Sequence, residues 1–174
     1  MKKVSGFSGL LFVAVALVFC GCSRPSTKEE LLKVIPLDGT ETSISKSGVH
    51  VDPDSTDGNG SLRLEANEAR TFELFEVTDV DVEDTRLIYR ARLKGKDISG
   101  KAYLEMWVRL PGQGEYFSRG LNQPITGSTN WASREIPFFL KKGQRPDLIR
   151  LNLVVDGKGT VWIDDIRLLK GPLR

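Results

Sequence analysis

The chain is short of the residues that covalent and metal chemistry usually need. It has two cysteines, Cys20 and Cys22, and one histidine, His50, in 174 residues. A lone histidine in a turn-rich segment, with no motif around it, reads as a surface or packing residue rather than a general base. The sequence holds no Gly-x-Ser-x-Gly elbow, no His-Glu-x-x-His pair and no phosphate-binding glycine loop, so none of the common catalytic motifs applies. After Phe19 no apolar run approaches the roughly 20 residues that an α-helix needs to cross a bilayer. Helical periodicity is never sustained past two turns. A long-helix or bundle architecture is excluded on that ground.

The beginning of the chain is more informative. Met1-Lys2-Lys3 supplies a positive end, Leu10 to Phe19 is an almost unbroken apolar run, and Cys20, Gly21 and Cys22 follow. That order is signal-peptide architecture, and the run is too short for a permanent transmembrane helix. Gly21 immediately before Cys22 resembles the lipobox of bacterial lipoproteins, with Phe19 where leucine is usual. The resemblance implies cleavage after residue 21 and lipid on Cys22, so that the exported chain is held on a membrane surface. Ordinary cleavage to a free secreted protein is the other reading. Ser23, in place of the aspartate that retains lipoproteins in the inner membrane, implies the outer membrane or its periplasmic face in a Gram-negative host.

Cleavage there would remove Cys20 and acylate Cys22, leaving no thiol for a disulfide, a cysteine nucleophile or a cysteine-ligated metal. It would also remove Lys2 and Lys3, bringing Lys plus Arg from 25 to 23, equal to the 23 Asp plus Glu. A formally neutral domain is a poor nucleic-acid binder, because that affinity rests on clustered positive charge.

Residues 22–36 read as a polar tether, although Leu31 to Leu37 also reads as a short helical turn or a first strand. Residues 37–171 read as one domain. Its texture is short alternating runs separated by Gly, Asn, Asp and Pro, which predicts an all-β, antiparallel sandwich or barrel. Strands are expected at Ser61–Ala66, Phe72–Val77, Leu87–Leu93, Ala102–Leu110, Ser133–Leu140, Leu148–Val155 and Thr160–Leu169. The Asp156-Gly157 step between the last two predicts a hairpin.

Neighbouring residues on a strand point to opposite faces. In Ala102–Leu110 this sends Leu104, Met106, Val108 and Leu110 inward and Tyr103, Glu105, Trp107 and Arg109 outward. If the neighbouring runs share that sheet, Arg90, Arg92, Arg150 and Asn152 join the outer face. Flat rings beside hydrogen-bonding charges suit a sugar, which offers an apolar C–H face and a rim of hydroxyls. Arginine forks also suit carboxylate or sulfate. Cross-strand stacking and ion pairing that merely solubilise the sheet account for the same residues. Trp131 and Trp162 are weaker candidates for such a face, and Trp131, just before a strand, reads as a core or corner residue.

Gly157-Lys158-Gly159-Thr160-Val161-Trp162-Ile163-Asp164-Asp165-Ile166-Arg167-Leu168 resembles the closing strand of the galactose-binding-like jelly rolls of carbohydrate-binding modules. Gly60-Ser61-Leu62-Arg63-Leu64 resembles an early strand of that fold, and Thr126-Gly127-Ser128-Thr129-Asn130-Trp131 the turn before its later strands. The resemblance implies a jelly-roll β-sandwich with a ligand-bearing sheet, and in many members a structural Ca²⁺. Asp165 with Asp52, Asp54 and Asp57 would be its oxygen ligands; otherwise these acids form turns and caps. Asp164 and Asp165 are strand neighbours and point apart, so they do not make a glycosidase pair. The expectation is a noncatalytic, lipid-anchored envelope protein that binds carbohydrate or another surface polymer. The alternative is a module that docks a protein partner or serves as a structural accessory.

Overall fold

The computed structural model describes residues 28–37 and 43–173; the segment expected to be a signal peptide and Cys22 lie outside them. The described chain is built from eight strands and no helix: β1 (Glu30–Ile35), β2 (Val49–Asp52), β3 (Ser61–Ala66), β4 (Arg70–Val77), β5 (Thr85–Leu110), β6 (Gly114–Arg119), β7 (Ile125–Leu140) and β8 (Leu148–Gly171). Every pairing between them is antiparallel.

Two strands organise the rest. A straight 26-residue β5 would run about 85 Å, whereas a chain of this size packs to a radius of gyration near 15 Å. The strand therefore has to bend, and β8 bends beside it. The corner lies at Asp97 and Gly100 on β5 (φ 53° and 101°) and at Gly157 and Gly159 on β8 (φ 142° and 138°). Gly100 and Gly157 are cross-strand partners at this corner. A Cβ on Gly157 would sit 1.7 Å from the Ser99 carbonyl oxygen, and one on Gly100 would sit 2.1 Å from that of Asp156. Only glycine lets the two backbones pass this closely.

The corner divides both strands into arms that serve two sheets. One sheet runs β6, residues 101–110 of β5, residues 148–156 of β8, then β4. The other runs β7, residues 85–94 of β5, residues 160–171 of β8, then β1 and β3, with β2 outside β3. Leu87, Tyr89, Ala91 and Leu93 from the first arm of β5 share a single core with Leu104, Met106 and Val108 from the second. Each arm turns its apolar side chains toward the other sheet, giving a β-sandwich.

The structure departs from the sequence reading in three places. The Asp156-Gly157 step is no hairpin: residues on either side continue one strand into different sheets. Glu30–Ile35, within the stretch read as tether, pairs with residues 166–170, which agrees with the alternative reading of Leu31 to Leu37 as a first strand. Finally, β2 and β6 are strands the alternation did not reveal, being short and exposed on both faces.

Candidate ligand face

In the second arm of β5 the inward set is as expected, while Tyr103 and Glu105 of the expected outward set are buried, at 8% and 2% exposed. Ala102, Leu104, Met106, Val108 and Leu110 are at most 1% exposed, while Trp107 and Arg109 reach solvent. Trp107 pairs with Phe117 on β6 and with Arg150 on β8, and Arg150 pairs with Glu76 on β4. The Trp107 and Phe117 ring centroids are 5.0 Å apart with planes inclined at 45°, and Phe117 is 51% exposed. Together they form an apolar shelf two strands wide.

A buried carboxylate holds that shelf. Glu105 is 2% exposed and accepts three hydrogen bonds. Trp107 Nε1 donates to its Oε1 (2.9 Å), Asn152 Nδ2 to the same oxygen (3.3 Å), and Arg119 Nε to Oε2 (2.5 Å). The Arg119 guanidinium also lies 4.6 Å from the Phe117 ring centre. A buried carboxylate with three donors is well satisfied, and it fixes the indole in one orientation. Asn152, 4% exposed, keeps its Oδ1 without a partner at the base of the face.

The remaining arginines of this face are neutralised. Arg109 forks onto Asp147 (2.8 and 3.0 Å), which holds the Asp147 carboxyl below its ordinary range. Arg150 donates to Glu115 and lies 4.0 Å from Glu76. Tyr103 is only 8% exposed. Its phenol is pushed above the usual range chiefly by burial, with Asp156 and Glu105 adding to the shift and Arg119 opposing it. Tyr103 is thus floor rather than platform.

Arg90 and Arg92 do not belong to this face. They lie on the first arm of β5, beyond the corner, and so on the outer surface of the opposite sheet. Strand alternation gives the face of a strand but not which sheet its neighbours join, and a bent strand belongs to both. Arg90 there pairs with Glu135 and Glu29. Trp131 and Trp162 are half-buried on that side; Trp131 Nε1 donates to Asp54 (3.1 Å) and Lys94 lies 4.8 Å over the Trp162 ring. In the other direction, Phe117 and Arg119 escaped sequence reasoning. Two adjacent aromatics, Tyr116 and Phe117, erase the alternation that would have marked β6.

The acids proposed for Ca²⁺ do not fit the ion. Asp54 meets Lys94 and Trp131, Asp52 meets Arg63 and the Asp54 amide, and Asp165 binds Arg167 at 2.5 Å. Asp57 is exposed and lies 3.9 Å from Arg167. Among the described residues no group of three or more acids, histidines or cysteines is placed to hold a metal. The carboxylate that organises the 54–57 loop is Asp164, 2% exposed. Its Oδ2 accepts from Thr56 N (2.6 Å), Thr56 Oγ1 (2.9 Å) and Asp57 N (2.9 Å), and its Oδ1 from Asp165 N (2.7 Å). Hydrogen-bond donors surround it where a cation would need oxygens. His50, exposed and 3.9 Å from Glu65, has no catalytic company.

The bent two-sheet architecture is a β-sandwich, a fold that solved carbohydrate-binding modules also have. No family model matches the sequence, and no curated protein does. Among solved structures, the chain is similar to the CBM22-1 xylan-binding domain of Paenibacillus barcinonensis Xyn10C, with a TM-score of 0.59 and 16% identity, over 86% of this chain and 99% of that one. A second xylan-binding domain of family 22 aligns at TM-score 0.56 and 9% identity, over 80% and 93%. A family 16 carbohydrate-binding module aligns at 0.52 and 14%, over 70% and 84%. At such identities the likeness is one of fold.

Proposed function

We propose that this protein is a noncatalytic, lipid-anchored module of the cell envelope that binds a glycan on the outer face of the sheet carrying Trp107. The observation that carries this reading is the Trp107–Phe117 shelf, half-buried at Trp107, exposed at Phe117 and locked from beneath by Glu105. An aromatic ring pinned by a buried hydrogen bond is a platform whose ordering is completed before the ligand arrives, so little entropy is lost on binding. The neighbouring solved structures, two of them xylan-binding domains, support the same class of ligand.

The charges around the shelf favour an uncharged polymer. Arg109, Arg119 and Arg150 are each paired with Asp147, Glu105 or Glu115, while Glu76 and Glu73 add further negative charge along β4. An acidic polysaccharide would meet this surface with its cations already occupied. The test is affinity electrophoresis and calorimetry against neutral and uronate-bearing polysaccharides, with wild type and Trp107→Ala. A neutral polymer should bind, and the substitution should weaken it about tenfold or more, since an aromatic stack supplies roughly 1–3 kcal/mol. Undiminished binding by Trp107→Ala would move the site elsewhere. Capture of a stoichiometric protein with no glycan bound would instead identify a docking module.

A further inference from the structure

The opposite sheet carries a feature that glycan binding at Trp107 does not use. Along the first arm of β5, Arg90, Arg92 and Lys94 project from the same outer face. Arg90 is paired with Glu135 and Glu29, and Lys94 with Asp54. Arg92, between them and half-buried, has no ion pair or hydrogen bond to any described residue, and its Nε is buried without an acceptor. The reason lies in its partners. On β7 it faces Ser133, which carries no charge. On β8 it faces Asp164, at the register shift, and that carboxylate is committed on both oxygens to Thr56, Asp57 and Asp165.

A second donor on this face is also unmet: Trp162, across from Lys94, has its Nε1 buried with no partner. A buried donor without an acceptor is destabilising, and of the three cations in this row Arg92 alone is not neutralised by a described carboxylate. We propose that Arg92 is the centre of an oxyanion site, separate from the Trp107 face, which takes a phosphate, sulfate or carboxylate group on its planar fork. Arg90 and Lys94, each held by its own carboxylate, flank the site, and Ser133 borders it. The described chain begins on this same surface, with Glu29 on Arg86 and Arg90, so a phosphate displayed by a lipid headgroup and one free in solution are the two sources to separate.

The test follows arginine Nε–H and backbone amide signals of the purified protein by NMR. Inorganic phosphate and sulfate are titrated, and binding is then measured to phosphatidylcholine vesicles with and without phosphatidylglycerol. Phosphate should shift the Arg92 Nε–H and the Ser133 amide saturably, leaving Arg109 unmoved. Arg92→Gln should abolish the Ser133 response, and Arg92→Lys, which keeps the charge but loses the fork, should weaken it about tenfold. Vesicle binding that requires phosphatidylglycerol and is lost in Arg92→Gln assigns the oxyanion to a lipid headgroup. A phosphate response without vesicle binding assigns it to a soluble or polymer-borne group. No shift at Arg92, equal shifts at Arg109, or a Ser133 response unchanged in Arg92→Gln would overturn the site. None of these outcomes bears on glycan binding at Trp107.

Discussion

Buried polar groups divide the side chains of this protein into those fully spent inside the fold and those left with capacity. Glu105 and Asp164 are both 2% exposed, and each carboxylate is saturated by donors from the chain. The first orients a ring and the second closes a loop. Tyr89 is the contrasting case. It is fully buried in the core, its hydroxyl has no partner, and burial pushes its phenol far above the usual range. Removing an unsatisfied buried hydroxyl at constant shape relieves a desolvation cost. Tyr89→Phe should therefore stabilise the protein by about 1 kcal/mol, read as a higher midpoint in urea with an unchanged slope. Trp107 was legible at this scale because no bulge interrupts residues 102–110. Glu105, two residues away on the same strand, was legible with it, whereas Phe117 beside the ring and Arg119 on the Glu105 carboxylate depend on register across strands, which the linear pattern does not carry.

At the scale of elements, the decisive feature is the bend shared by β5 and β8. The sequence showed two pairs of runs separated by Gly-rich steps, and the Asp156-Gly157 step reads as a hairpin because most such steps are. The geometry differs because both long strands turn at the same level, so their glycines face each other and the ladder continues around the corner. This is why Arg90 and Arg92 are parted from Trp107 despite sharing a strand. It also gives Gly157 a specific burden. Gly157→Ala would drive a Cβ into the Ser99 carbonyl at a φ of 142°, costing about 3 kcal/mol or more from overpacking and backbone strain together. The expected result is a large fall in thermal midpoint, whereas Lys158→Ala between the same glycines should change it little.

For the molecule as a whole, the two outer surfaces have different characters. One bears a held aromatic shelf among neutralised arginines, and the other bears the incoming chain and the unpaired Arg92. The sandwich class was readable from strand texture and the closing-strand motif, while the engagement of Asp52, Asp54 and Asp165 with nitrogen donors was not, since acids in turn-rich loops look alike whether they bind a cation or an amide. Anchoring by lipid at Cys22 is part of the proposed function. Cys22→Ala should abolish incorporation of labelled fatty acid and release the protein from membranes in fractionated cells; persistence of the label would place the lipid elsewhere.

In the proposed function Trp107 meets the ligand directly. The most direct measurement is the indole Nε1–H signal of Trp107 in ¹⁵N–¹H spectra during titration with a neutral oligosaccharide that the protein binds. A saturable shift of this signal is expected, while those of Trp131 and Trp162 on the opposite sheet stay in place. Saturation of binding with the Trp107 signal unmoved would contradict it.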